Sequence, residues 1–160
     1  GEYIVSNLLK KEKGFTLIEI VLVLAIAGLL LVIVFLAVSG AQKSRRDTQR
    51  KNDLSRIAAQ IESFAGNYNG CYPGSGALAG CAATPAFLGA TPAFVGSTFI
   101  TGGNFNDPTT GAAYGYVAYT ATPGTGVVSY RNGLFCDGTA GRGYSVNMGL
   151  EQGVICRDNK

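Results

Sequence analysis

From Ile20 to Val38 the chain runs for 19 residues without a polar side chain, and this run limits what the rest can be. As an α-helix rising ~1.5 Å per residue it extends about 28 Å, enough to cross the hydrocarbon layer of a bilayer. A buried core helix is the bland alternative. A chain of 160 residues supplies one modest domain at most, whose core cannot surround a cylinder that is apolar on every side. A signal peptide is the sharper rival, but its apolar stretch is ordinarily ~7–15 residues and closes on a small-residue cleavage site. The lysines ahead of the run, Lys10, Lys11 and Lys13, suit either reading.

After the weak point Ser39-Gly40 the helical pattern resumes. Apolar side chains return at Leu54, Ile57, Ala58, Ile61, Phe64, Ala65 and Tyr68, in steps that mark one helix face. The stretch from Gln42 to Arg56 is polar and charged, and no proline occurs before Pro73. The pattern predicts one helix from Phe15 to about Ala65, bare hydrocarbon in its first half and amphipathic in its second. Gly66-Asn67 and Asn69-Gly70 are its stop signals.

The remainder reads as short strands and turns. A tandem heptapeptide, Ala83 to Gly89 followed by Ala90 to Gly96, is too short for a solenoid and is expected to be a duplicated surface loop, with burial of its phenylalanines left open. Alternation from Tyr114 to Thr120, a turn at Pro123-Gly124-Thr125-Gly126 and a second run from Val127 to Tyr130 predict a hairpin. Further strands are expected at Gly143 to Met148 and Val154 to Cys156. The fold class is α+β: a long N-terminal helix packed on a small antiparallel sheet, one face of which lies on Ile57, Ile61 and Phe64.

Cys71, Cys81, Cys136 and Cys156 all lie in the C-terminal half, an even number in a domain too small for a generous core. They suggest disulfides in an oxidising compartment. Four cysteines allow three connectivities, of which Cys71 with Cys81 and Cys136 with Cys156 would staple two short loops. A zinc site competes poorly, because no pair has ligand spacing and the chain has no His.

Just before the apolar run stands Lys13-Gly14-Phe15-Thr16-Leu17-Ile18-Glu19. Thr16 and Glu19 alone fit a capping box, an unspecific helix start. Joined to Lys13-Gly14, Phe15 and 19 apolar residues, the string closely resembles the processing site of type IV pilins and type II secretion pseudopilins. That resemblance implies cleavage between Gly14 and Phe15 by a prepilin peptidase, loss of a leader 1–14, and N-methylation of the new Phe15 amine. It also implies a membrane and filament-core helix 15–40, a globular domain 41–160, and partnership with identical or related subunits and an inner-membrane assembly machinery. Glu19 would meet the Phe15 amine of a neighbouring subunit, because a carboxylate among apolar side chains in a bilayer costs about 2.5–3.5 kcal/mol unless paired.

Two features sit uneasily with the resemblance. Many members carry a helix-bending proline where this chain has only Gly28 and Gly40. Lys43, Arg45, Arg46, Arg50, Lys51 and Arg56 follow the apolar run, and a positive-inside count would put the globular domain in the cytoplasm. The cysteines and the leader motif agree with each other against that count.

Other sites are weaker. DNA is the lesser reading of the Lys43–Arg56 stretch, because Asp47 and Asp53 interrupt it and no aromatic is interleaved. A solvated helix face or intersubunit ion pairing is preferred. Asn106 to Gly111 reads as an Asp-Pro turn, since Asp107 is a lone carboxylate where calcium takes ~6–8 oxygens. Gly102-Gly103 and Gly138 to Gly141 lack the lysine and helix of a phosphate loop. With no His no familiar nucleophile–base pair can be assembled, so the reading is a structural protein without cofactor or metal. The sequence predicts a filament subunit, a single-pass membrane precursor that ends in a surface filament. The alternative is a membrane-anchored binding protein, an adhesin or DNA-uptake receptor.

Overall fold

A computed structural model describes residues 14–76, 80–81, 84–87, 94–95, 99–100 and 105–160. Its elements are α1 (Leu17–Asn67), β1 (Gly115–Ala118), β2 (Val127–Leu134), β3 (Ala140–Leu150) and β4 (Gly153–Asp158). The chain divides into two compact units between Ala41 and Gln42. Lys10, Lys11, Lys13 and most of the expected leader lie outside the described residues, as does Gly102-Gly103.

In the first unit α1 stands bare. Its large apolar side chains are exposed along the whole run, from Leu17 at 82% to Phe35 at 76% and Val38 at 46%. The helix is long and apolar enough to cross a membrane, with a mean hydropathy of 3.4 over its most apolar window. Neither Gly28 nor Gly40 interrupts it. A helical glycine costs only ~1 kcal/mol against alanine, less than the cost of restarting a helix nucleus.

In the second unit the rest of α1 packs on the sheet. Leu54, Ile57, Ile61 and Phe64 form one core with Tyr114, Val128, Tyr130, Tyr144, Val146 and Met148. The register explains the match, because Val128 faces Met148, Tyr130 faces Val146 and Asn132 faces Tyr144, and alternate residues of paired strands share a face. The helix stops as expected: Asn69 and Gly70 take positive φ (54° and 79°), and Gly70 N donates to Ala65 O at 2.8 Å.

The sheet is mixed rather than antiparallel, a correction to the expected hairpin. β1 pairs with β2 in parallel, Gly115 opposite Val127 and Ala118 opposite Tyr130, while β2–β3 and β3–β4 are antiparallel. The order is β1-β2-β3-β4. The Pro123–Gly126 turn does not reverse the chain against β1. Residues 119–126 instead return to the starting end of β1, and eight residues reach ~26 Å or more, about twice the length of a four-residue strand. Along the way they cover the far side of the sheet. Thr120 O accepts from Ser129 Oγ at 2.9 Å and Asn147 Nδ2 at 3.4 Å, so Ser129, Ser145 and Asn147 are buried too.

The heptapeptide repeat is not merely surface. Its corresponding phenylalanines, Phe87 and Phe94, are 6% and 0% exposed. Phe87 stacks on Tyr130 at 4.1 Å between centroids, and Phe94 meets Phe64 edge-on at 5.5 Å. Phe94 N and Val95 N donate to Ala86 O and Phe87 O, so the two copies join by backbone hydrogen bonds.

Candidate processing and assembly site

Thr16 caps α1. Its Oγ1 accepts from Glu19 N at 3.3 Å, while Glu19 Oε2 accepts from Thr16 N and Thr16 Oγ1, each at 2.8 Å. The capping box anticipated from Thr16 and Glu19 is therefore formed, and it turns the Glu19 carboxylate back toward the helix start. Phe15, next to the cap, is 85% exposed. Gly14 has no positive φ, and a Cβ built on it meets nothing within 4 Å. Neither backbone conformation nor crowding among the described residues accounts for a glycine there.

A second cluster lies in the globular unit. Arg50 is fully buried. Its Nε and Nη2 donate to Asp107 Oδ2 and Oδ1 at 2.8 and 3.1 Å, and Nη1 donates to Asp47 Oδ1 at 2.9 Å and to Glu151 Oε1 at 3.2 Å. Thr109 Oγ1 accepts from Nη2 at 2.7 Å. Arg46 holds Glu151 from the other side at 2.5 and 2.9 Å. Asp47 also accepts from Glu151 N and Gln152 N, in the β3–β4 turn. Farther along α1, Asp53 accepts from Tyr114 Oη at 2.8 Å.

Burial by itself pulls the Arg50 guanidinium down, but its hydrogen bonds to Asp107, Asp47 and Glu151 together outweigh burial and hold it above its ordinary value. Burial would raise Asp107, and the bonds from Arg50 and Thr109 N reverse that and lower it. The bond from Arg46, opposed by burial and helped by Arg50, brings Glu151 down to about 2. The cluster is a charged clamp between α1, the turn after Asp107 and the β3–β4 turn.

The clamp corrects the reading of Lys43–Arg56 as a solvated or intersubunit face at Arg46, Asp47, Arg50 and Asp53 alone, while Lys43, Arg45, Lys51 and Arg56 are exposed. Arg46 and Arg50 pair within the chain, and Asp47 and Asp53 are buried. The signal was in the spacing, since Asp47, Arg50, Leu54, Ile57, Ile61 and Phe64 fall in alternating steps of three and four. The charged positions therefore continue the apolar stripe. Asp107 and Glu151 carry no comparable signal, because their partners are far away in sequence. Asp107 is a turn residue, its Oδ1 accepting from Thr109 N at 2.8 Å, and Arg50 occupies its carboxylate.

Cys71 is bonded to Cys81 and Cys136 to Cys156, with Cα atoms 5.6 and 5.9 Å apart. The first bridge closes the segment after α1, and the second ties the β2–β3 connection to β4. Among the described residues no group of three or more His, Cys, Asp or Glu is placed to hold a metal.

Residues 9–35 match the family described as the prokaryotic N-terminal methylation motif. No curated protein and no solved structure matches the chain. The matched segment takes in Gly14, Phe15, the Thr16–Glu19 cap and most of the bare apolar run. Residues 9–35 thus carry the N-terminal methylation motif that is the hallmark of type IV pilins and pseudopilins, and it stands at the start of a long apolar helix.

Proposed function

We propose that this protein is a structural subunit of a type IV pilus-like filament, made as a single-pass membrane precursor. A prepilin peptidase removes the leader 1–14 between Gly14 and Phe15, and the new Phe15 amine is methylated. Identical or related subunits then pack through their N-terminal helices in an inner-membrane assembly machinery, and the filament ends at the cell surface.

The observation that carries this reading is the exposure of the apolar first part of α1, Leu17 to Val38, most of which lies within the methylation motif. Such a surface demands a cover, first lipid and then other helices. The unexplained glycine at position 14 fits an enzyme that must reach the next peptide bond. Glu19 supports the assembly step. Its Oε2 serves its own helix cap, while Oε1 makes no hydrogen bond among the described residues and is left for a neighbouring subunit's amine. Sorting of subunits by this pair would set the axial register between them.

The test is Glu19→Ala in cells that assemble the filament. Processing to Phe15 should continue, and sheared surface material should lose the subunit by tenfold or more. Normal filaments from Glu19→Ala would remove the register role. The second reading, a membrane-anchored binding protein outside the filament body, would leave surface filaments unchanged when the whole chain is deleted.

A further inference from the structure

The stretch from Ala41 to Arg56 sorts its charges by sign. Both of its carboxylates, Asp47 and Asp53, are buried, while Lys43, Arg45, Lys51 and Arg56 are exposed. Arg56 is held by Asp53 at 3.2 Å and lies over the Phe105 ring at 4.8 Å. Lys43, Arg45 and Lys51 make no hydrogen bond or ion pair among the described residues. The exposed part of the stretch is therefore basic and otherwise uncharged, and it carries no apolar side chain larger than Ala41. In sequence the two aspartates dilute the charge; in the structure they leave the surface.

We propose that Lys43 and Arg45 bind the phosphate headgroups of anionic phospholipid while the subunit waits in the membrane. This rests on the membrane-anchored reading above. Lys43 and Arg45 follow Val38, the last residue of the apolar run, by five and seven residues. Even fully extended, five residues span no more than ~18 Å, so the tether keeps Lys43 near the headgroups. Both side chains are long enough to reach a polar surface while their stems stay on the helix. Lys51 is thirteen residues beyond Val38 and contributes less. A nucleic-acid surface would be expected to interleave aromatics for stacking, and no exposed aromatic lies in this stretch. The headgroup contact gives the positive charge behind the apolar run a partner on its own side of the membrane, and it must be given up when the subunit enters the filament.

The test is native mass spectrometry of the full chain released from bilayers containing equal phosphatidylglycerol and phosphatidylcholine, with Lys43→Gln/Arg45→Gln and Lys51→Gln as variants. The unsubstituted chain should retain phosphatidylglycerol in preference. The double variant should lose that preference by roughly tenfold or more, since each basic residue at an anionic surface contributes about fivefold, and Lys51→Gln should lose less. Retained disulfides and an unchanged circular dichroism spectrum report that the variants fold. Equal retention of the two lipids, or an unchanged preference in the double variant, would overturn the proposal alone. Salt-dependent binding of a DNA duplex through all three residues equally, without lipid preference, would overturn it in favour of nucleic acid. A chain that fails to insert into either bilayer would overturn the membrane-anchored reading with it.

Discussion

Arg50 and Asp107, 57 residues apart, form a two-pronged ion pair with the guanidinium fully buried, Nε to Oδ2 at 2.8 Å and Nη2 to Oδ1 at 3.1 Å. The pair fastens the amphipathic part of α1 to the loop ahead of the sheet, and Asp47 and Glu151 fasten it to the far end of β3. A guanidinium suits this position because its planar fork meets several carboxylates at once.

Removing the cation should leave the buried Asp47 and Asp107 without their ion-pair partner, while Glu151 keeps only Arg46. Arg50→Ala is expected to destabilise the globular unit by about 3–5 kcal/mol, the usual cost of breaking a buried pair from one side. Urea denaturation of the full chain in detergent, followed by tyrosine fluorescence, measures this. A loss under 1 kcal/mol would mean the clamp is ornamental.

The clamp also sets an acid limit. Asp107 and Glu151 have folded values depressed below their ordinary ones, Glu151 from 4.5 to about 2. A depressed carboxylate contributes stability that is present above its unfolded value and lost as pH falls through its folded value. Stability should therefore fall from about pH 4.5 toward 2, and Glu151→Gln should flatten that decline. Urea midpoints measured across this range, with and without the substitution, show whether it does.

Gly126 packs against the clamp. It sits at φ +71°, and a Cβ there would lie 2.5 Å from Asp107 Oδ2. Gly126→Ala adds backbone strain of ~1–3 kcal/mol and pushes the carboxylate off Arg50, so its effect should exceed the strain alone. Combining it with Asp107→Ala should be clearly less than additive, because the two changes act on one contact.

The duplicated heptapeptide offers a contrast between loop and core. Phe87→Ala and Phe94→Ala should each cost about 3–5 kcal/mol, as truncation of a buried phenylalanine does. A true surface loop would tolerate both within about 0.5 kcal/mol. Thermal unfolding separates these outcomes.

The helix was legible from its residues because periodicity is local. The change from bare hydrocarbon to a stripe at Leu54, Ile57, Ile61 and Phe64 follows from spacing alone, and Asn69-Gly70 supplies its stop. The capping box at Thr16 and Glu19 was legible for the same reason. The parallel pairing of β1 with β2 was not, because Pro123 to Gly126 spells a turn whether the chain doubles back beside β1 or crosses the sheet first. The Arg50 clamp was half legible. Its helical members share the core's phase, while Asp107 and Glu151 join it only once the fold brings distant segments together.

The central claim is that this chain is trimmed and exported as a filament subunit, and N-terminal mass spectrometry on material from native membranes and sheared surface fractions tests it most directly. The account predicts a terminus at Phe15 bearing one methyl group in both fractions. A chain that still begins upstream of Gly14, in cells with an active prepilin peptidase, would contradict it and leave Thr16 and Glu19 as nothing more than the cap of a membrane anchor.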